Sequence, residues 1–116
     1  MLIQRFVGTD LLHRVVEYNG TLYLAGIGPT DLTVGMKEQS EQVFEKAQRL
    51  LDEHGSSKAH ILSATIFVTD LARRPEMNEA WKAWLARPEM PARATVGVSD
   101  LGPGMLIEAC FIAARL

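Results

Sequence analysis

The segment spanning residues 106–114 constrains the fold most, because it is apolar on both faces that an extended strand would present. Alternate side chains of a strand point to opposite sides, so a strand with one solvated face should alternate between apolar and polar residues. This segment does not alternate in that way, and both of its faces therefore have to be covered. The two faces carry Ile107, Ala109, Phe111 and Ala113 on one side, and Cys110, Ile112 and Ala114 on the other.

A hairpin is predicted around Asn19-Gly20, which lies between two apolar, β-prone runs. This dipeptide favours a type I′ turn because both of its residues tolerate a positive φ. It joins a strand at residues 13–18 to a strand at residues 21–26. Further strands are predicted at residues 60–68, 93–98 and 106–114, with a short edge strand at residues 2–6.

Two amphipathic helices are predicted between these strands. Apolar side chains recur with the helical period across residues 36–51, and His54-Gly55 follows as a helix end, with glycine supplying the left-handed residue. Arg74-Pro75 begins the second helix, because proline at a first helical position loses no hydrogen bond.

The element order β-β-α-β-α-β-β predicts a single α+β domain over residues 1–116, with one mixed sheet and two helices on one of its faces. Two helices on one face leave the other face open, and that face should then be polar. The strands at residues 60–68 and 106–114 are apolar on both sides instead. A second copy of the same chain is the simplest cover, so we expect a homo-oligomer.

The composition argues against several classes of protein. A formal net charge of -2 and a pI of about 5.9 disfavour a nucleic-acid partner, which calls for clustered basic residues. The single cysteine, Cys110, excludes an internal disulfide and suits a reducing compartment. The first residues do not form a signal peptide, and no apolar run approaches the ~18 residues of a membrane span. We therefore expect a cytoplasmic protein without a nucleic-acid or membrane partner.

Neither a cofactor nor a metal is expected from the remaining motifs. Gly26-x-Gly28 follows a strand and precedes a helix, as in a dinucleotide loop, but Pro29 and Asp31 break that pattern and the chain is too short for a doubly wound sheet. The three histidines lie in different elements without the spacing of metal ligands. Among them, His13 is the one that could line a pocket.

Glu108 and Arg93 are the best candidates for residues of a functional site. A carboxylate among apolar neighbours must be paired, hydrogen-bonded or partly protonated, unless its strand is an edge and Glu108 simply faces water. Arg93 opens the preceding strand, and it either extends into solvent or holds a ligand. Since the two strands are consecutive, a hairpin could bring both side chains into one cleft, within one subunit or across an interface. An arginine fork beside a carboxylate suits a small substrate that bears a carboxylate.

These residues lie in segments that resemble the RidA (YjgF) family. The arginine of PARATV is followed by Glu108 at the spacing of the family's C-terminal signature, and the resemblance runs almost end to end. The matching segments are PARATV at residues 91–96, LIEA at 106–109, ATIFVTDL at 64–71, MNEAW at 77–81, and Asn19-Gly20 with LAG at 24–26.

The resemblance implies a chorismate-mutase-like fold assembled as a homotrimer, with clefts between subunits and no cofactor. It also implies hydrolysis of reactive 2-imino and enamine acids to 2-keto acids and ammonia. Arg93 would clamp the substrate carboxylate, a bidentate task that lysine performs less well. Glu108 would position or activate water, and Asn78, Thr95 and His13 would line the substrate site.

Three positions depart from the family pattern. Thr95 stands where active deaminases usually have cysteine, Leu12-His13 replaces a tyrosine, and Ala25-Gly26-Ile27 replaces Ser-Gly-Gln. An alternative function is therefore a non-catalytic protein of the same fold that binds or senses a small carboxylate-bearing metabolite. The ribonuclease or translation-inhibitor activity also attributed to the family is disfavoured by the acidic charge and the lack of a histidine pair or basic groove.

Overall fold

The computed structural model describes residues 2–116, which form one six-stranded sheet and two α-helices. This arrangement confirms the predicted α+β class. No helix within residues 2–116 is both long and apolar enough to cross a membrane. The strands are β1 Gln4–Gly8, β2 His13–Tyr18, β3 Thr21–Leu24, β4 Ile61–Val68, β5 Ala92–Gly97 and β6 Ile107–Ala114, and the helices are α1 Met36–Glu53 and α2 Arg74–Trp84.

The predicted turn and helix end are both confirmed. Asn19 and Gly20 have φ values of 53° and 78°, the positive values that a type I′ turn requires between β2 and β3. Helix α1 ends at the residue before His54, whose Nδ1 lies 2.8 Å from the carbonyl oxygen of Leu50. Gly55 follows with a φ of 79°, the left-handed conformation that glycine adopts without strain.

The strand order, β1-β2-β3-β6-β4-β5, corrects one expectation from the sequence. Strands β5 and β6 are consecutive in the chain but do not form a hairpin, because β4 lies between them, parallel to β5 and antiparallel to β6. The physical reason is burial: β4 and β6 are apolar on both faces and occupy the interior of the sheet. Strand β5, whose residues are mostly exposed, forms an edge. Glu108 consequently lies on an interior strand and not on an edge.

The hydrophobic core fills the space between the helices and one face of the sheet. Alternate residues of β4 and β6 point into it, and the apolar stripes of α1 and α2 cover them. Phe44 of α1 stacks on Trp84 of α2 with ring centroids 4.9 Å apart. The buried residues include Ala64, Ile66 and Val68 of β4, Ile107, Ala109, Phe111 and Ala113 of β6, Val43, Phe44, Ala47 and Leu51 of α1, and Met77, Ala80 and Trp81 of α2.

The opposite side of the sheet, which we call the open face, is covered by neither helix. It carries Phe67 of β4 and Cys110 and Ile112 of β6, all partly buried, because they alternate with core residues. Tyr23 of β3, the register partner of Ile112, is 45% exposed, and Val96 of β5, the register partner of Phe67, is 39% exposed. A single chain thus presents an apolar sheet face to solvent, and its cover by another copy stays a prediction.

Candidate functional site

Arg93 lies on the helix side of the sheet. Its register partner on β4 is Ala64, a core residue, and register partners on adjacent strands point to the same side. The Nη1 atom of Arg93 lies 3.8 Å from Sδ of Met77 on α2. Its guanidinium carbon lies 5.1 Å from the centroid of the Trp81 ring, within cation–π range. The edge strand β5 thus extends its arginine under α2.

The Arg93 guanidinium has no carboxylate partner among residues 2–116. Its two contacts are a thioether and an aromatic ring. Partial burial, and then repulsion from Arg74, lower the pKa of Arg93, although a guanidinium stays charged in a protein. A partly desolvated cation with these neighbours is suited to binding an anion, above all a carboxylate that accepts two parallel hydrogen bonds.

Asn78 and Thr95 each contribute a buried polar atom without a hydrogen-bond partner among the described residues. The atoms are Oδ1 of Asn78, which follows Met77 on α2, and Oγ1 of Thr95, which points to the same side of β5 as Arg93. An unsatisfied buried polar group costs about 1–3 kcal/mol. A ligand that reached these atoms after a small movement of the side chains around them would recover that free energy, so both atoms are candidate ligand contacts.

Four residues form a stripe on one side of α2, and two of them, Met77 and Trp81, contact Arg93 of β5. Arg74, Met77, Asn78 and Trp81 are spaced i, i+3, i+4 and i+7, which places them on one helix face. We call the space between this stripe and the Arg93 and Thr95 side chains the β5–α2 groove. Of its residues, sequence reasoning identified Asn78, Arg93 and Thr95 but missed Arg74, Met77 and Trp81. The helical spacing from Asn78 back to Arg74 was the signal that could have found it.

Glu108 lies on the open face, where its register partner is Phe67. The chain leaves the β3 ladder after Leu24, and Gly26 then passes beside the Glu108 side chain. A methyl group on residue 26 would lie 2.9 Å from Cδ of Glu108, so any larger residue there requires the carboxylate to move. Glu108 is partly buried, and its carboxylate makes no hydrogen bond or ion pair within residues 2–116.

Cys110, the neighbour of Glu108 on the open face, is not prepared as a nucleophile. Burial, followed by repulsion from the Glu108 charge, raises the pKa of its thiol. A reactive cysteine needs the opposite environment, one that favours the thiolate.

Arg93 and Glu108 do not meet within one chain. The register aligns Glu108 with Phe67 and Phe67 with Val96, which is three residues beyond Arg93 on β5. Two strand spacings and three residue rises separate the two Cα atoms by roughly 14 Å. The sheet itself stands between the two side chains, since one points toward α2 and the other toward the open face. The prediction that Arg93 and Glu108 share a cleft within one subunit is therefore wrong, whereas a cleft across an interface stays a prediction.

His13 lies at the start of β2, with its ring against Gly8 of β1. Strands β3, β6 and β4 separate β2 from β5, so the fold does not bring His13 to the Arg93 side chain of its own chain. The N–H of Ala25 donates to the carbonyl oxygen of Arg14 at 2.9 Å. That bond places His13, Gly26 and Glu108 at the same end of the sheet.

Three surface depressions lie along α1, and neither Arg93 nor Glu108 lines any of them. Their volumes are about 400, 220 and 200 Å³. The candidate residues thus occupy two separate surfaces of the chain rather than one enclosed pocket. Within residues 2–116, no three His, Cys, Asp or Glu side chains are grouped as metal ligands would be.

Comparison with known protein sequences identifies the family. The sequence profile described as Endoribonuclease L-PSP matches residues 5–115. A RutC family protein of Haemophilus ducreyi is 33% identical over 113 residues, which span 97% of each chain. The RutC family protein YoaB of Escherichia coli is 36% identical over 100 residues, which span 86% of this chain and 87% of YoaB.

Solved structures show the same fold. NMB1025 of Neisseria meningitidis, a member of the YjgF protein family, is 35% identical, with a TM-score of 0.93 over 100% of this chain and 97% of its own. RidA from the Antarctic bacterium Psychrobacter is 29% identical, with a TM-score of 0.84 over 92% and 90% of the two chains. The predicted chorismate-mutase-like architecture is confirmed by this similarity. The chain therefore belongs to the RidA (YjgF) family, whose sequence profile is the one described as Endoribonuclease L-PSP.

Proposed function

We propose that this protein hydrolyses reactive 2-imino and enamine acids to 2-keto acids and ammonia, at a site that two copies of the chain form together. One observation carries the proposal: within residues 2–116 Arg93 is a charged group without an anionic partner, and its strand and the facing helix α2 each carry a buried polar atom that lacks a hydrogen bond. Such a set of groups favours a small ligand that carries a carboxylate. Family membership is consistent with this activity.

The first step is the binding of the substrate carboxylate by Arg93. A guanidinium donates two parallel N–H bonds to a carboxylate, which fixes the orientation of the bound acid as well as its position. The Trp81 ring 5.1 Å from the guanidinium carbon and the Met77 sulfur limit the movement of the fork. The carbon next to the carboxylate, C2, is thereby held close to the β5 edge.

A second copy supplies the carboxylate that handles water. Glu108 is partly buried without a partner within residues 2–116, and the open face around it is apolar and uncovered. We place Glu108 of one copy opposite Arg93 of the next, in a homotrimer with clefts between subunits. Because Arg93 and Glu108 occupy different surfaces of the chain, such contacts run head to tail and close into a ring. In this ring each cleft contains one Arg93 and one Glu108.

The chemical step is the addition of water to the imine carbon. Glu108 accepts a proton as the water oxygen bonds to C2, and the electron pair of the C=N π bond moves to nitrogen. The proton passes to that nitrogen, the C–N bond breaks with release of ammonia, and loss of the hydroxyl proton leaves the 2-keto acid. The reacting species is the iminium ion, which an enamine acid forms by taking a proton at C3 and an imine forms by taking a proton at nitrogen. An iminium carbon is already electrophilic, so positioning and proton transfer provide most of the acceleration.

Two properties of the chain suit a small metabolite in the cytoplasm. The formal net charge of -2 does not favour a polyanionic partner, and a lone, partly buried cysteine is compatible with a reducing compartment. Nucleic acid and membrane surfaces are accordingly not among the partners we propose.

The separation of Arg93 and Glu108 within one chain favours a second candidate function. Carboxylate binding needs only the β5–α2 groove, which one chain contains, whereas turnover also needs Glu108 from another copy. A protein that binds or senses a small carboxylate-bearing metabolite without turnover would use the groove alone. Retention of Glu108, which carboxylate binding does not require, favours hydrolysis.

Release of ammonia from imines distinguishes the two functions. An amino-acid oxidase generates 2-imino acids of several side-chain sizes, and ammonia formation is compared with the spontaneous rate. We expect acceleration by the wild type, loss of it in Arg93→Ala and Glu108→Gln, and full activity in Arg49→Gln. Arg49 is an exposed cation on α1 that pairs with Glu45. If no imine reacts faster while 2-keto acids still bind in an Arg93-dependent manner, the protein is a carboxylate binder and the hydrolase proposal is wrong.

A further inference from the structure

We infer that the substrate carries a second anionic group, that Arg74 at the start of α2 recognises it, and that the preferred substrates are 2-imino acids with a carboxylate at the end of the side chain. This inference rests on the proposed function, because it names the substrate class of the same site.

The position of Arg74 extends the β5–α2 groove. Arg74 lies three residues before Met77 and four before Asn78, hence on the same helix face and one turn closer to the N-terminus. Met77 contacts Arg93, so the groove runs from Arg93 along α2 to Arg74. Electrostatic repulsion between the two arginines agrees with this proximity, since Arg74 contributes, after burial, to the lowered pKa of Arg93.

The acidic side chains of α2 are engaged by other cations. Glu76 forms a two-pronged ion pair with Arg73, at 2.9 Å from Nε to Oε2 and 3.1 Å from Nη2 to Oε1. Glu79 lies 3.9 Å from Nζ of Lys37. Arg74 is exposed and has no ion pair among the described residues. The groove therefore contains two positive charges and no fixed counterion for either.

The charge of the groove determines which substrate fits it best. The carboxylate on C1 of a 2-imino acid neutralises Arg93 and leaves the Arg74 charge beside it. A second carboxylate at the far end of the side chain neutralises Arg74 as well, and removes the repulsion between the two guanidinium groups. The reaction class that supplies such a substrate is the two-electron oxidation of an acidic amino acid by an amino-acid oxidase or dehydrogenase, and the product of its hydrolysis is a 2-keto dicarboxylate.

Equilibrium binding of two stable keto acids tests the inference independently of turnover. 2-Oxoglutarate and 2-oxopentanoate share a five-carbon chain and differ only in the terminal carboxylate. Tryptophan fluorescence reports binding, because the Arg93 guanidinium lies over Trp81, and calorimetry confirms the affinities. We expect the diacid to bind the wild type about fivefold more tightly, the size of effect that an exposed ion pair provides, with the preference reduced at high salt.

Variants assign this preference to Arg74. Arg74→Gln should bind both acids with affinities within twofold of each other, because the diacid should lose more affinity than 2-oxopentanoate. Arg74→Glu should bind the diacid more weakly than the monoacid, and Arg49→Gln should behave as the wild type. Equal affinities in the wild type, or a preference that survives in Arg74→Gln, would overturn the inference.

Failure of the inference on Arg74 can be distinguished from failure of the hydrolase proposal. If imines are hydrolysed but the diacid is not preferred, the inference on Arg74 is wrong and the proposed function stands. If an Arg74-dependent preference appears but no imine is hydrolysed, the ligand class is correct and the catalytic proposal is wrong.

Discussion

Replacing Thr95 with valine should stabilise the fold and weaken the site at the same time. The Oγ1 atom of Thr95 is buried on the helix side of β5 and has no hydrogen-bond partner within residues 2–116. Valine has nearly the shape of threonine and replaces this hydroxyl with a methyl group, so the substitution removes an unsatisfied polar atom without opening a cavity.

The magnitude follows from the cost of that unsatisfied hydroxyl. A buried polar group without a partner costs about 1–3 kcal/mol, and the lower end applies because Thr95 is only partly buried as a residue. A gain of about 1 kcal/mol raises the melting temperature of a domain of this size by roughly 4 °C. The affinity for a 2-keto acid should fall a few-fold, because the bound ligand loses one hydrogen bond of about 1 kcal/mol.

Thermal and denaturant unfolding at one fixed protein concentration measure the first effect, since the stability of an oligomer depends on concentration. Thr65→Val is the matched control: Thr65 lies on β4 next to β5 but on the open face. It should shift the melting temperature less than Thr95→Val and leave keto-acid binding unchanged. If Thr95→Val lowers the melting temperature, its hydroxyl is satisfied in the folded protein, and the argument that Thr95 is held ready for a ligand is refuted.

Three further substitutions or conditions test the site. Gly26→Ala should abolish imine hydrolysis in a steady-state assay at little cost in stability, because the new methyl displaces the flexible end of the Glu108 side chain; unchanged activity would contradict the role of that carboxylate. Arg93→Lys retains the charge but loses the fork, so fluorescence titration should show keto-acid binding weakened by about tenfold; equal affinity would argue against a two-pronged clamp. Since the folded-state pKa of the Cys110 thiol lies above its unfolded value, its contribution to stability is present at neutral pH and is lost as alkaline pH passes through the raised pKa. Denaturant unfolding from pH 7 to 10 should therefore show a steeper loss of stability than in Cys110→Ala, and parallel profiles would contradict the raised pKa.

Local signals in the sequence predicted most of the elements. Asn19-Gly20 specified the β2–β3 turn, and Arg74-Pro75 specified the start of α2, because each depends on the conformational limits of one or two residues. Strand β3 ends at Leu24, two residues earlier than predicted, where the chain departs from the ladder to pass Glu108. Apolar alternation does not record such a departure, since it depends on a side chain from a distant strand.

The order of the strands was less accessible from the sequence. Periodicity shows that a segment is extended and which of its faces are buried, but it does not name the neighbouring strand. The expected hairpin of β5 and β6 was wrong because the two-sided apolar strand β4 takes the interior place between them.

The site residues likewise could be predicted only where a sequence motif marks them. Arg93, Asn78 and Thr95 could be predicted from motifs, and the fold places all three on β5 and the facing helix α2. The position of Arg74 on the Asn78 face of α2 follows from the helical spacing, but its lack of an ion pair could not be predicted, because it depends on Arg73 taking the carboxylate of Glu76. Side-chain packing determines which of the adjacent residues Arg73 and Arg74 pairs with Glu76.

A mixed-oligomer experiment tests most directly the claim that Arg93 of one copy and Glu108 of another form one site. Arg93→Ala and Glu108→Ala are each expected to be inactive toward imines. When the two variants are mixed in equal amounts and reassembled, a subunit with intact Arg93 meets a neighbour with intact Glu108 at about one quarter of the interfaces of a closed ring. The account predicts recovery of about that fraction of the wild-type rate. No recovery in a confirmed mixed assembly would contradict the account, because the two residues would then not act across an interface.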